Sequence, residues 1–125
     1  MPSYKDLEIY KTAFDLTIKV HHLSLKLPGF ERYEQGSQIR RSSKSIKDQI
    51  AEGYGRRSYK ADFIEFLIYA QASNDECTNQ IETIIALYPD HNGWNELKEA
   101  YDSLGKQINK FIQYGEKNWR TTRIK

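Results

Sequence analysis

"WNELKEAYDSLGKQINKF", Trp94 to Phe111, is the stretch on which the fold turns. Its large apolar residues, Trp94, Leu97, Tyr101, Leu104, Ile108 and Phe111, recur in steps of three and four without a slip. That spacing keeps side chains on one face of a helix, and a seam sustained near 3.5 residues implies nearly aligned helices with left-handed packing. Working back along the chain, "YPDHNG" (88–93) breaks the pattern through Pro89 and Gly93. Before it comes a stripe of Phe63, Phe66, Ala70, Cys77, Ile81, Ile84 and Tyr88, opened by Ser58 as a candidate N-cap. Ile39, Ser43, Ile46, Ile50 and Gly53 form a second helical face, with small inward residues that let another helix come close.

The first segment is wider. Leu7, Tyr10, Phe14, Ile18, His21 and Leu25 form one row, and Ala13, Leu16, Val20, Leu23 and Leu27 another. Ser3 with Asp6 is a start signal, Pro28–Gly29 a stop, and Gly36–Ser37 a new N-cap. The spacing therefore predicts helices over about 6–27, 37–54, 59–88 and 94–118, with a frayed basic tail over about 119–125. No segment reads as a strand. Three short connections favour an antiparallel up-down-up-down four-helix bundle in a single all-α domain, and 125 residues suffice for one core.

Composition narrows the class. A formal charge of +2 permits nucleic-acid binding without arguing for it. One cysteine, Cys77, cannot form an internal disulfide and suits a reducing compartment. The polar start "MPSYKDLEIYK" lacks the apolar core of a signal peptide, and "FIEFLIYA" is too short and too charged to span a membrane. The expectation is a cytoplasmic protein with no membrane association.

The charge is unevenly placed. Arg40, Arg41, Lys44, Lys47, Arg56, Arg57 and Lys60 fall between residues 40 and 60, against only Asp48 and Glu52. Arg40, Lys44 and Lys47 share one stripe of the second helix, and Arg56, Arg57 and Lys60 occupy the turn after it. Acids gather elsewhere, at Asp75, Glu76, Glu82, Glu96, Glu99 and Asp102. A polarised basic face suits phosphates, since Lys and Arg release counterions on binding. It equally suits a solvated face or charges paired across an oligomer interface. Tyr54 and Tyr59 flank the arginines, either to stack on unpaired bases or to pack.

Gly53 and Gly55 raise the question of a phosphate loop. Neither the Walker spacing nor a preceding strand is present, so the two glycines are expected to serve the turn, one of them in the left-handed conformation that ends the second helix. No catalytic constellation emerges. His21, His22 and His91 form no Glu-x-x-His pairs, Cys77 lies on an apolar stripe, and Asp62 and Glu65 sit in a first turn where the helix dipole favours them. The expectation is a non-enzymatic protein without a cofactor or metal.

The segments "YKDLEIYKTAFDL", "LPGFERYEQGSQIRRSSKSIKDQIAEGYGR" and "SYKADFIEFLIYAQAS" resemble the bacterial family of 23S rRNA intervening-sequence proteins. Arg40, Arg41, Glu52, Gly53, Gly55 and Arg56 match the family motif position by position. Lys47 stands where the family often has Pro, Gln49 where it often has Asn, Ser42 for Ala, and Ala72–Ser73 for Gly–Ser. The resemblance implies a four-helix bundle assembled into a ring-like homo-oligomer, a pentamer. It also implies RNA or DNA as a partner: the fold is similar to the accessory protein of diversity-generating retroelements, which works with a reverse transcriptase. The family's matched residues then have two readings: phosphate contacts by the arginines with Glu52 orienting Arg56, or bundle-end and subunit contacts. The functional expectation is a nucleoprotein accessory factor; the alternative is a protein–protein scaffold that binds no nucleic acid.

Overall fold

The computed structural model describes residues 2–123. Among these it holds four helices and no strand: α1 (Glu8–Ser24), α2 (Gln35–Gly55), α3 (Lys60–Leu87) and α4 (Trp94–Asn118), with 3-10 turns at Tyr4–Asp6 and Gly29–Arg32. Each helix packs against its neighbours in sequence, and α4 closes on α1. The result is an all-α four-helix bundle.

The inward row of α4 runs as its periodicity requires, with Trp94, Leu97, Tyr101, Leu104 and Ile108 buried. Beyond it Phe111 is half-buried, and Ile112 and Gly115 continue the buried row. On α3 the buried row includes Leu67 in place of Phe66, and Asn74 fills the gap between Ala70 and Cys77. Phe66 is half-buried beneath the Arg56 guanidinium, whose carbon stands 4.8 Å from the ring centroid.

The largest departure is on α1. Ile9, Ala13, Leu16 and Val20 make its core face. The row of Phe14, Ile18 and Leu25 faces out, 43%, 44% and 45% exposed, with His21 exposed among them. A helix has one face toward a bundle core, and the second apolar row at heptad spacing is left partly in water.

Packing between α2 and α3 depends on small residues. Ser42 and Gly53 are buried on α2 where it meets α3. Ser42 Oγ donates to Gln80 Oε1 at 2.6 Å and lies 3.2 Å from Cys77 Sγ, and Ser45 Oγ meets Ser73 Oγ at 2.9 Å. A β-carbon on Gly53 would stand 2.8 Å from Cβ of Phe66. The expected left-handed glycine cap at 53 or 55 is therefore corrected. Both glycines lie inside α2, Arg56 is the C-cap, and the glycines with positive φ are Gly29 and Gly93. Gly53 is there for close approach, not for the turn.

The start signals also shift. The Ser3–Asp6 capping box forms, but on the 3-10 turn that precedes α1. Glu34, not Gly36 or Ser37, precedes α2, and Tyr59, not Ser58, precedes α3. Among the described residues no helix is long and apolar enough to cross a membrane.

Candidate nucleic-acid interface

The seven basic residues singled out from the sequence do not form one patch. Arg41 lies on α2 and Arg56 caps its end, fifteen residues on and about 22 Å along the axis, with the exposed acids Asp48 and Glu52 between them. Two groups result, one near each end of the helix.

In the first group, Arg40 is a structural residue. Its Nη1 donates to Ser24 Oγ at 2.9 Å and its Nη2 to the Arg32 carbonyl at 2.7 Å, so the guanidinium ties the end of α1 and the following 3-10 turn to α2. The same connection is held by Tyr88, whose hydroxyl donates to buried Glu31 at 2.8 Å, and by His91 at the head of α4. Trp94 Nε1 donates to His91 Nδ1 at 2.8 Å, leaving Nε2–H to donate to the Lys26 carbonyl at 3.0 Å. Arg41 and Lys44 point to solvent. Arg41 Nη1 reaches Ser37 Oγ one turn back, at 3.2 Å, while Lys44 makes no hydrogen bond or ion pair among the described residues. Lys47 is mostly covered and pairs with its neighbour Asp48 at 2.7 Å.

In the second group, Arg56 is half exposed and lies between Glu52 at 3.8 Å and Asp62 at 3.9 Å. The (i, i+4) pairing with Glu52 expected from the sequence thus exists, loosely. Arg57 folds back on Tyr54, donating to its carbonyl at 2.9 Å with the guanidinium carbon 4.3 Å from the ring centroid. Lys60 Nζ donates to the Glu116 carbonyl at 2.6 Å, near the C-terminus of α4, where a cation satisfies an otherwise unpaired carbonyl. Lys60 and Arg57 are therefore partly committed to holding the bundle end together.

The chain after α4 is not frayed as far as it is described. Trp119 lays its ring on Phe63, centroids 4.6 Å apart, and its Nε1 donates to the Arg57 carbonyl at 2.7 Å. The amides of Thr122 and Arg123 donate to the Ser58 carbonyl at 2.8 and 3.4 Å, and Lys60 N donates to Thr121 Oγ1 at 3.1 Å. Ile124 and Lys125, part of the same expected tail, lie outside the described residues. This docking sets exposed Arg120 and Arg123 beside the α2–α3 turn. Sequence spacing hides that neighbourhood, because some sixty residues separate the two segments. The one local clue is Trp119, a large apolar ring in a polar tail.

Tyr54 and Tyr59 are both half-buried. Tyr54 lies edge-on to Phe63 at 6.3 Å, a packing role. Cys77 is buried, and that burial pushes its thiol up to about 12, so the sulfur stays protonated at neutral pH.

No curated protein matches the chain at a significant level. The sequence profile of the 23S rRNA-intervening sequence proteins matches residues 5–110, which takes in α1, α2, α3 and most of α4, and the chain belongs to that family.

Proposed function

We propose that the protein is a non-enzymatic helical bundle that assembles into a ring-like homo-oligomer and holds RNA or DNA as an accessory factor of a nucleoprotein. The observation that carries this reading is the docked C-terminal segment. It sets Arg120 and Arg123 on a segment docked against the α2–α3 turn at one end of the bundle, on backbone held by the Ser58, Arg57 and Thr121 hydrogen bonds. Arg41 and Lys44 extend the contact along α2. Arg40, Arg57, Lys60 and Lys47 support the scaffold rather than the ligand. Repetition of a modest site around a ring multiplies its effective contact with a long polyanion. Arg120 and Arg123 lie beyond the span that matches the family, so this end of the surface rests on the present chain alone.

The test is fluorescence anisotropy with structured RNA, duplex DNA and single strands across a salt series. Affinity should fall steeply with salt, and each phosphate contact removed should lower the slope by about one. The folded variants Arg120→Ala/Arg123→Ala and Arg41→Ala/Lys44→Ala should each weaken binding to every sequence alike. Unchanged affinity in both would eliminate the surface, and no binding at low salt would eliminate the nucleic-acid reading.

A second reading, a scaffold for protein partners, is favoured by the outer row of α1. Phe14, Ile18 and Leu25 place large apolar surface in water at coiled-coil spacing. In the first reading this row joins copies of the chain; in the second it seats another protein, for which the family resemblance suggests a reverse transcriptase. Light scattering on Phe14→Glu/Ile18→Glu separates them: dissociation of the oligomer supports the first use, and an intact oligomer supports the second.

A further inference from the structure

The 3-10 turn between α1 and α2 holds two aromatic rings in water. Phe30 is 69% and Tyr33 75% exposed, the highest values among the large apolar side chains described. The turn that carries them is firmly anchored. Glu31 is buried and accepts from the Tyr88 hydroxyl at 2.8 Å, and the Arg32 carbonyl accepts from Arg40 at 2.7 Å. The amide of Tyr33 donates to the Phe30 carbonyl at 2.8 Å, so the two residues stand one 3-10 turn apart. Side chains at that spacing project to the same side, about 6 Å apart along the turn. Neither ring packs on another ring among the described residues, so both keep their faces for a ligand.

The charge around the rings is positive. Arg32 lies between them in sequence, exposed, with its guanidinium carbon 6.0 Å from the Tyr33 ring centroid and no ion pair among the described residues. Exposed Lys26 precedes the turn, and Arg41 reaches back to Ser37 near the start of α2. Glu34 is the one exposed acid between residues 25 and 44. Flat rings fixed in water beside an unpaired guanidinium match the alternation of base and phosphate along an unpaired strand. A duplex has its base faces already stacked and leaves mainly phosphates to such a surface. Tyr54 and Tyr59, the rings that sequence position favours for stacking, are half-buried, whereas Phe30 and Tyr33 are open.

We propose that the Phe30–Tyr33 turn is a stacking platform for single-stranded nucleic acid. Unpaired bases lie on the two rings, and Arg32, with Arg41 beyond it, takes the phosphates that follow them. The inference rests on the nucleic-acid reading above and names its ligand, an unpaired strand rather than a duplex. It also places the base contacts at the head of α2, at the opposite end of that helix from the docked C-terminal segment.

The experiment is fluorescence anisotropy of the full chain with labelled oligothymidylate and with a duplex of the same length, across a salt series. The single strand should bind more tightly. Phe30→Ala/Tyr33→Ala should weaken that binding by about tenfold or more with the salt slope unchanged, because a ring releases no counterion. Arg32→Ala should instead lower the slope by about one, and Tyr33→Phe should keep wild-type affinity. All three positions are exposed, and circular dichroism and light scattering check fold and assembly. Failure of both ligands to bind overturns this inference together with the nucleic-acid reading. A duplex bound as tightly as the single strand, or wild-type affinity in the folded double variant, overturns the platform alone. A double variant that loses its oligomer puts the rings between subunits and overturns it too.

Discussion

Alanine at Gly53 and at Gly55 should change stability in opposite directions. Both residues lie in α2 with helical φ, so alanine gains helix propensity at each, up to about 1 kcal/mol in the interior and less at the last turn. At Gly55 a β-carbon meets nothing within 4 Å. Gly55→Ala should therefore stabilise the protein by about 0.5 kcal/mol. At Gly53 the new β-carbon would stand 2.8 Å from Cβ of Phe66 and 3.5 Å from the Phe63 carbonyl. Cβ of Phe66 is fixed to the α3 backbone and no rotamer change removes it. The two helices must separate by several tenths of an ångström, which loosens the Ser45–Ser73 and Ser42–Cys77 contacts along the same seam. Overpacking of this kind costs about 1–3 kcal/mol, so after the propensity gain Gly53→Ala should lose about 1–2 kcal/mol. Urea unfolding followed by helical circular dichroism measures both, with the midpoint moving and the slope unchanged. A Gly53→Ala variant as stable as wild type would refute the close-approach argument. A loss of 1 kcal/mol or more in Gly55→Ala would mean that Gly55 adopts a left-handed turn after all.

Three further outcomes are expected. Arg40→Ala should cost about 1.5–3 kcal/mol, because charged hydrogen bonds to Ser24 and the Arg32 carbonyl are lost, whereas exposed Arg41→Ala should stay within about 0.5 kcal/mol; chemical unfolding distinguishes them. Thr17 is buried with an unpartnered hydroxyl, so Thr17→Val should stabilise by about 1 kcal/mol and raise Tm by about 4 °C in a calorimetric scan. Burial raises the Cys77 thiol from its ordinary 9.0 to about 12. Above pH 9 the unfolded chain releases this proton and the folded chain keeps it, so stability falls as pH rises toward 12. The difference between wild type and Cys77→Ala should narrow by up to about 1.4 kcal/mol per pH unit across that window, and a pH-independent difference would contradict the buried, protonated thiol.

The lesson of the candidate surface is that a run of basic residues in sequence is not a patch in space. Arg40, Arg41, Lys44 and Lys47 come within eight positions, yet the bundle gives them different work. Arg40 turns inward because Ser24 and the Arg32 carbonyl need a donor, Lys47 lies down beside Asp48, and Arg41 and Lys44 remain in water. Conversely, the segment that carries Arg120 comes against the α2–α3 turn through Trp119 and Thr122, which no spacing rule relates to that turn.

The amino-acid sequence by itself determined the helices and their inward faces where one apolar row dominates. In α4 and α2 a single row at three- and four-residue steps has one way to be buried, so local periodicity is enough. Where two rows compete, as in α1, periodicity cannot choose between them. The choice of Ala13, Leu16 and Val20 over Phe14 and Ile18 depends on the space that α2 and α4 leave between them. The same holds for glycine. Its presence near a helix end suits either a left-handed cap or a close contact, and only the position of Phe66 on the next helix decides that Gly53 is the latter. Side chains near a boundary take their roles from unpaired carbonyls and neighbouring helices, and those are set by tertiary packing rather than by the residues on either side.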